Sequence, residues 1–330
     1  MKKELDLPMP AGWFQVMYSA DIGVGESKPL YFFDSDLVIF RGESGVVGVL
    51  DAYCPHMGAH LGYGIRDNAH HGSSVDGDSI VCPFHHWQYN SEGKCTGIPY
   101  AKNMPPKVAR GEQVIKSWPT RELNQCIYVW FHPEGIEPSY EVWEVPEAQA
   151  DNADWSDFHL RSWELPTHMQ EIGENSVDAA HFKYVHGTVD VPETAYNEFN
   201  GHERSGKFVT RHETPRGVVE GGIETANLGP GLTTNRFTGF CEILLMANLT
   251  PVNGTETKAF YSFILREGQG EAMERVGQAY IDNICQQMEE DSIIWRNKTF
   301  LGKPMLCDGD GPFAKFRKWY AQFLVEPSSV

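Results

Sequence analysis

Two pairs of cysteine and histidine have the spacing of metal ligands. Cys54 and His56 form a C-x-H pair, and Cys82 and His85 form a C-x-x-H pair. Thiolate sulfur and neutral imidazole nitrogen both bind iron and zinc. Each pair would supply one sulfur and one nitrogen, so two loops could each contact both irons of a [2Fe–2S] centre that has two cysteine and two histidine ligands. The spacing therefore favours such a cluster.

A zinc site and a chance cluster of buried side chains are the alternatives. Zinc ribbons and fingers usually begin with C-x-x-C, whereas the first pair here is C-x-H with a proline inside it. A chance cluster does not account for the proline and the matching residue order in both pairs. Two further histidines, His60 and His86, lie nearby. His86 is one residue too late for C-x-x-H, so His85 is the expected ligand. His86 is expected to lie at the wall or the entrance of the metal site.

A second set of candidate ligands has the pattern Asn175-x-x-Asp178-x-x-His181-x-x-x-x-His186. Two histidines and one carboxylate are the usual ligands of non-haem Fe(II) oxygenases, and they leave positions open for O₂ and substrate. Five residues turn a regular helix by ~140° beyond one full turn, so both histidines reach one metal only if the helix bulges or stops between them. Gly187 fits a helix end. Asp178 could share a helix face with His181.

The carboxylate ligand must come from elsewhere, and Glu289, Glu290 and Asp291 are the candidates. At ~100° per residue, Asp291 falls on the apolar stripe of a predicted helix with Met288 and Trp295, whereas both glutamates rotate away from it. An acid on the apolar side of a helix needs a partner, and a metal ion is one. The alternative is an acidic helix surface on which all three carboxylates are solvated. On this pattern alone, Asp291 as a metal ligand and an acidic solvated surface both stay open.

Strand and helix patterns divide the chain near residue 140. Before that point, short segments with β-branched and aromatic residues alternate with Gly, Asp and Pro turns, which predicts a small all-β domain. Predicted strands there include 13–18, 46–50, 127–131 and a hairpin of 29–33 with 37–41 around residues 34–36. Turns of this kind can hold two ligand loops tip to tip. Residues 64–78 predict a long exposed loop whose role is left open.

The remainder predicts an antiparallel sheet with helices, so the fold class is α+β. The expected elements are a strand at 158–165, a helix at 167–185, a broad sheet over 205–265, and helices at 270–298 and 313–323. Residues 1–140 are expected to bind the cluster and residues 141–330 to form the catalytic domain. Several apolar side chains could line a substrate pocket or belong to the core: Phe237, Phe240, Leu244, Leu245, Met246 and Phe263.

Composition narrows the class of protein. The chain has 330 residues and a formal net charge of −18, which argues against nucleic acid and anionic membrane surfaces as partners. No signal peptide or transmembrane run is visible. Seven cysteines without paired spacing favour a reducing cytoplasm over a disulfide scaffold.

At its two Cys–His pairs, Cys54 with His56 and Cys82 with His85, the chain resembles the Rieske non-haem iron oxygenases. Within that family it is most similar to the oxygenase component of 3-ketosteroid 9α-hydroxylase and to the cholesterol 7-desaturases. The likeness continues in Gly93-Lys94-Cys95, Ile98-Pro99-Tyr100 and Tyr128-Val129-Trp130. It extends over the Rieske half, and over the second half mainly through the two iron-binding segments.

The resemblance implies specific roles. The cluster ligands would be Cys54, His56, Cys82 and His85, and the mononuclear Fe(II) ligands His181, His186 and Asp291. In the helix that carries the carboxylate ligand, the family also places an Asp before an aromatic residue. This favours Asp291 as the ligand, with Glu290 as the second choice. Asn175 would lie close to the iron. Asp178 would link His181 to His85 of a neighbouring subunit in a homotrimer, since the two sites of one chain are too far apart in this family.

Electrons would come from NAD(P)H through a separate reductase or ferredoxin, because the sequence has no G-x-G-x-x-G that opens a βαβ unit. That the chain uses O₂ to hydroxylate a steroid-like apolar substrate is implied by the resemblance alone. Sterol desaturation, demethylation and aromatic hydroxylation stay open as outcomes. A Rieske electron carrier is the alternative of another class, and the second set of ligands argues against it.

Overall fold

The computed structural model describes residues 7–64, 74–214, 217–239, 241–268 and 270–325. Phe240 and most of the predicted loop, residues 65–73, lie outside the described residues. The chain forms two compact units, Val16–Phe131 and His132–Val330, the second of which also includes the segment before Val16. Among the described residues, none of the helices has both the length and the hydrophobicity that a transmembrane segment needs.

The unit Val16–Phe131 is built from short antiparallel strands. In chain order its elements are β1 (Gly12–Tyr18, in this unit from Val16), β2 (Ser27–Phe32), β3 (Ser35–Arg41), β4 (Val47–Asp51), β5 (Val75–Asp76), β6 (Ser79–Val81), β7 (Gln88–Asn90), β8 (Cys95–Gly97), helix α1 (Pro106–Ala109), β9 (Thr120–Leu123) and β10 (Cys126–Phe131). They form sheets of order β2-β3-β4, β5-β6-β7-β8 and β1-β10-β9.

The predicted hairpin is confirmed as β2 and β3, but its turn lies one residue earlier than expected. Phe33 and Asp34 both have positive φ, 58° and 54°, as the favoured two-residue hairpin turn requires. Phe33 tolerates this conformation while its ring is buried and stacks on Phe131 with centroids 4.9 Å apart. Burial of the aromatic ring thus moves the turn away from the Asp-Ser-Asp segment that composition favoured.

The other unit contains one large sheet. Its elements are β11 (His159–Leu165), α2 (Met169–Glu174), α3 (Ala180–Tyr184), β12 (Glu193–Asn200), β13 (Glu203–Thr214), β14 (Gly217–Leu228), β15 (Leu232–Thr238), β16 (Ile243–Pro251), β17 (Thr257–Leu265), α4 (Glu271–Asn297) and α5 (Phe313–Tyr320). The strand order is β11-β17-β16-β15-β14-β13-β12, and neighbouring strands are antiparallel. The expected α+β class, the broad sheet and the two C-terminal helices are confirmed.

The prediction of one helix over 167–185 was wrong. Helix α2 gives way to a 3-10 turn at Asn175–Val177, and Asp178 is extended with ψ of 98°. The carbonyl oxygen of Ser176 accepts a 2.7 Å hydrogen bond from the Arg204 guanidinium, and Gly311 lies directly against the Val177 carbonyl. The Arg204 bond uses a backbone carbonyl that a continuous helix would use internally, and Gly311 occupies the space beside the next carbonyl. The break therefore comes from distant residues.

Candidate metal centres

The first candidate centre lies in two similar turns. In the first, the Cys54 carbonyl accepts from the Gly58 N–H at 2.9 Å, and in the second the Cys82 carbonyl accepts from the His86 N–H at 3.0 Å. The two cysteines are 2% and 1% exposed and pack on one hydrophobic core with Tyr89. The same hydrophobic core therefore supports both turns.

The structure brings the four predicted cluster residues together. The His56 and His85 rings have centroids 4.8 Å apart. The Cys82 thiol lies within hydrogen-bonding reach of Cys54 and, together with the Tyr89 hydroxyl, lowers the pKa of Cys54 to about 6, whereas the same contact and burial raise the pKa of Cys82. A lowered pKa favours the thiolate, which is the form that binds metal.

Two orphaned atoms test whether these residues fit a cluster. The Nδ1 atoms of His56 and His85 are buried, and neither has a hydrogen-bond partner among the described residues. A buried polar atom without a partner costs free energy, and a metal ion removes that cost. Two sulfurs and two free nitrogens are also the donors that a Rieske centre uses. The residues fit the cluster.

The two additional histidines have different surroundings. His60 accepts a 3.0 Å hydrogen bond at Nδ1 from the Gly62 N–H, so it stabilises its own loop. His86 is exposed and has a positive φ of 59°. Beside the turns, His56 stacks on Trp87 with ring planes 10° apart. Neither His60 nor His86 has the free buried nitrogen found in His56 and His85.

The second candidate centre depends on the early end of α3. This helix ends at Tyr184, between the two histidines, and Gly187 follows with φ of 71°. The break turns His186 back toward His181, whose ring centroid lies 5.1 Å away at an interplanar angle of 81°. Of the two geometries that the five-residue spacing allowed, the structure has the helix that stops.

Helix α4 brings Asp291 to these histidines. One ligand atom from each of His181, His186 and Asp291 lies within 4.8 Å of the others, and His186 Nε2 is 3.4 Å from Asp291 Oδ1. Asp291 lies on the inward stripe of α4 with the buried Met288 and Trp295. Two imidazoles and a carboxylate at this separation fit a divalent iron.

Each histidine is oriented through its Nδ1 atom. His181 Nδ1 lies 2.5 Å from the main-chain oxygen of Asp178, and His186 Nδ1 lies 2.8 Å from Glu290 Oε2. Burial lowers the pKa of His181, so the ring is neutral near pH 7. For His186 burial also lowers the pKa, but hydrogen bonds and charges of Asp291 and Glu290 outweigh burial and raise it. Because Nδ1 of each ring is engaged in this way, Nε2 is the atom through which each histidine would bind a metal.

The two remaining predicted residues support this centre. Asn175 Nδ2 donates a 2.8 Å hydrogen bond to Asp291 Oδ2. Asp178 Oδ1 accepts from the N–H groups of Ala180 and His181, at 3.0 and 3.3 Å, at the start of α3. Asn175 therefore holds the carboxylate, and Asp178 holds the segment that carries His181.

The three candidate ligands line a cavity between α4 and the sheet. Part of its wall is apolar and includes Ile172, Phe182, Phe208, Phe237, Leu245 and Leu249. Of the apolar residues that could either line a pocket or belong to the core, Leu245 and Phe237 line the cavity. Leu244 and Met246 alternate onto the other face of β16, and Phe263 belongs to the buried core.

Another part of the wall is polar and depends on a buried arginine. Arg204 is 2% exposed, and burial lowers its pKa to about 10. Its guanidinium donates to Oδ1 of Asn227 at 3.0 Å, so the Asn227 amide nitrogen faces Thr233 Oγ1 at 2.8 Å. Thr225 and Asn235 form a second pair, at 2.7 Å. No local pattern in the sequence indicates this network, because its members lie on three separate strands.

Comparisons with known proteins agree with these two centres. Residues 12–119 match the Rieske [2Fe-2S] domain family, and residues 129–324 match the family described as 3-Ketosteroid 9alpha-hydroxylase C-terminal domain. A probable 3-ketosteroid-9-alpha-monooxygenase, oxygenase component, of Rhodococcus rhodochrous is 32% identical over 97% of this chain and 81% of its own length. A cholesterol 7-desaturase of Xenopus laevis is 30% identical over 99% of this chain and 74% of its own.

Solved structures share the fold. NdmB of Pseudomonas putida CBB5 superposes with a TM-score of 0.71 at 19% identity, covering 93% of this chain and 89% of that one. Dicamba monooxygenase bound to dicamba gives 0.69 at 15% identity, covering 94% and 96%. The resemblance seen in the motifs is thus confirmed, and the chain belongs to the Rieske oxygenases, in the family of the 3-ketosteroid-9-alpha-monooxygenase oxygenase components.

Proposed function

We propose that the chain is the oxygenase component of a monooxygenase that hydroxylates a steroid-like apolar substrate. The observation that carries the proposal is the set His181, His186 and Asp291, whose ligand atoms lie within 4.8 Å of one another at the wall of a cavity. In this proposal these residues hold a mononuclear Fe(II), and Cys54, His56, Cys82 and His85 hold a [2Fe–2S] cluster. Residues 1–140 bind the cluster and residues 141–330 the iron.

The chain's own residues position the reactants. When bound, the cluster supplies an electron and the iron activates O₂ beside the substrate. Asn175 fixes one oxygen of Asp291, so the other oxygen faces His186. Apolar residues such as Phe208 and Leu249 would pack on the substrate and exclude water. The polar wall suits an oxygen atom on an otherwise apolar molecule, which supports a ketosteroid or sterol as the substrate class.

Electrons would come from NAD(P)H through a separate reductase or ferredoxin. The names of the relatives support this, since they are oxygenase components. We also propose a homotrimer in which Asp178 connects His181 to His85 of the partner subunit. Asp178 Oδ2 makes no hydrogen bond to another described residue, and its side chain is 28% exposed, which supports a role at an interface.

The test is metal and product analysis of the purified chain. We expect acid-labile sulfide, two cluster irons and one further iron per chain, and a hydroxylated product from one member of a panel of 3-ketosteroids, sterols and aromatic acids when reductase and O₂ are present. Zinc without sulfide would overturn the proposal. Because cholesterol 7-desaturases are also relatives, a desaturated sterol is the second candidate product, and the same chromatogram distinguishes it.

A further inference from the structure

The imidazole of His186 is held by two consecutive residues of one helix. Glu290 Oε2 lies 2.8 Å from Nδ1, and Asp291 Oδ1 lies 3.4 Å from Nε2. The His186 side chain is 1% exposed, so the ring is enclosed and has a carboxylate oxygen near each nitrogen. Glu290 is therefore on the side of the ring that faces away from the candidate iron.

A second contact restricts the Glu290 carboxylate. Its Oε1 accepts a 2.9 Å hydrogen bond from Gln286 Nε2, one helical turn earlier on α4. Both carboxylate oxygens are thus used, one by Gln286 and one by His186. Although the Glu290 side chain is 32% exposed, its orientation is determined by these two contacts.

The two candidate histidine ligands differ in what holds them. His181 Nδ1 contacts the main-chain oxygen of Asp178 at 2.5 Å, and the Asp178 carboxylate lies farther away, with Oδ2 at 3.9 Å. His186 Nδ1 faces a charged carboxylate. A carboxylate that accepts from Nδ1–H fixes the tautomer with a free Nε2 and makes that nitrogen a stronger donor to a metal. Of the two candidate ligands, His186 is thus the one whose Nδ1 is in direct hydrogen-bond contact with a carboxylate.

We propose that Glu290 is a positioning residue that orients and strengthens His186 as a ligand without binding the iron itself. The inference rests on the proposed function, since it requires a metal at His181, His186 and Asp291. It also gives separate roles to two neighbouring acids of α4: Asp291 faces the metal, and Glu290 faces Nδ1 of His186.

The experiment measures Co(II) binding to the full chain after the mononuclear iron has been removed by a chelator and the cluster retained. Variants Glu290→Ala and Glu290→Gln are compared with wild type, with Glu289→Gln as the matched control. Glu289 is the preceding residue, is exposed, and accepts from Trp163 Nε1, so its change removes the same charge without touching His186. The readouts are the dissociation constant and the Co(II) electron paramagnetic resonance spectrum, recorded with the cluster oxidised.

We expect Glu290→Ala to weaken Co(II) binding by ~10–100-fold and to alter the Co(II) spectrum. Glu290→Gln should recover part of the affinity, because its amide oxygen still accepts from Nδ1–H, and Glu289→Gln should match wild type. Wild-type affinity and spectrum in Glu290→Ala would overturn the inference. If Glu290→Ala fails to fold, an unchanged spectrum in Glu290→Gln overturns it equally.

The two possible failures are separable. If wild type binds no Co(II), or if His181→Ala binds it as tightly as wild type, the proposed function fails. If wild type binds one Co(II) that depends on His181 and Glu290 has no effect, only the inference about Glu290 fails.

Discussion

Asn175 Nδ2 donates a 2.8 Å hydrogen bond to Oδ2 of Asp291, across 116 residues of sequence. This bond joins the 3-10 turn before α3 to helix α4. It uses one carboxylate oxygen and leaves Oδ1 on the side of His186 Nε2. Asp291 is thereby presented to a metal through a single oxygen, in an orientation that the side chain alone would not keep.

The first prediction is that Asn175→Ala lowers iron retention and product formation by ~10–100-fold, the usual cost of removing a residue that orients a metal ligand. Without the amide donor, the Asp291 carboxylate can rotate about its side-chain bonds. The measurement is iron per chain after gel filtration, together with the rate of product formation. The visible spectrum of the cluster should not change. Wild-type iron content and rate would show that the hydrogen bond is dispensable.

Part of this centre could be predicted from the sequence. The five-residue separation of His181 and His186 required an interrupted helix, and the family resemblance, added to the apolar stripe of α4, favoured Asp291 over Glu290. The contact of Glu290 with His186 could not be deduced, because a residue that rotates off an apolar stripe looks like ordinary solvated surface. Only the position of the segment that follows α3 shows that the His186 imidazole contacts Glu290 on this surface of α4.

The break at residues 175–179 shows a second limit of local patterns. Residues 167–185 have a helical pattern, yet the Ser176 carbonyl is bonded to Arg204, which lies 28 residues away. Arg204 itself looks like an ordinary polar residue of a strand. Only the fold shows that it is buried and that its donors go to a carbonyl and two amide oxygens. Long-range bonds of this kind leave no periodic signal in sequence.

The second prediction concerns Asp178→Asn. Asparagine accepts backbone hydrogen bonds at a helix start nearly as well as aspartate, and the main-chain oxygen that faces His181 is unchanged. Both metal centres and the oligomer should therefore survive, whereas turnover should fall by ~10–100-fold because the proposed bridge to the partner subunit loses its charge. Rapid-mixing absorbance of cluster reoxidation and sedimentation are the measurements.

A matched control for this prediction is Asp190→Asn. Asp190 is exposed and lies 3.9 Å from Lys183 in an ion pair, so its change removes a charge from the same region without affecting His181. Cluster reoxidation at the wild-type rate in Asp178→Asn, or a fully active monomer, would exclude the bridged-subunit route.

The third prediction concerns the reduction potential of the cluster. The Tyr89 hydroxyl lies 3.1 Å from Cys54 Sγ, and burial raises the pKa of Tyr89 so that it stays protonated. A hydrogen bond to a ligand sulfur stabilises the more negative reduced cluster. Tyr89→Phe should therefore lower the potential by about 50 mV, equivalent to about 1 kcal/mol for one electron. A redox titration measures it, with the exposed Tyr31→Phe as control. An unchanged or higher potential would contradict the role of this bond.

The fourth prediction concerns the polar wall of the cavity. Arg204 can only donate, so the amide oxygen of Asn227 faces the guanidinium and the amide nitrogen donates to Thr233 Oγ1. Among the described residues the Thr233 hydroxyl hydrogen has no acceptor, so it is free to donate to a substrate oxygen. Thr233→Val should weaken binding of a substrate with a carbonyl or hydroxyl at this end by ~10-fold, about 1.4 kcal/mol.

The same substitution should leave the affinity for an analogue without that oxygen unchanged, because valine keeps the volume of threonine. Thr234→Val is the matched control, since Thr234 is the next residue of β15 and alternates onto the opposite face. Dissociation constants for the oxygenated ligand and its deoxy analogue, measured on all three proteins, give the answer. Equal losses for both ligands would assign the effect of Thr233→Val to packing rather than to a donated hydrogen bond, because a lost hydrogen bond affects only the ligand that carries the acceptor.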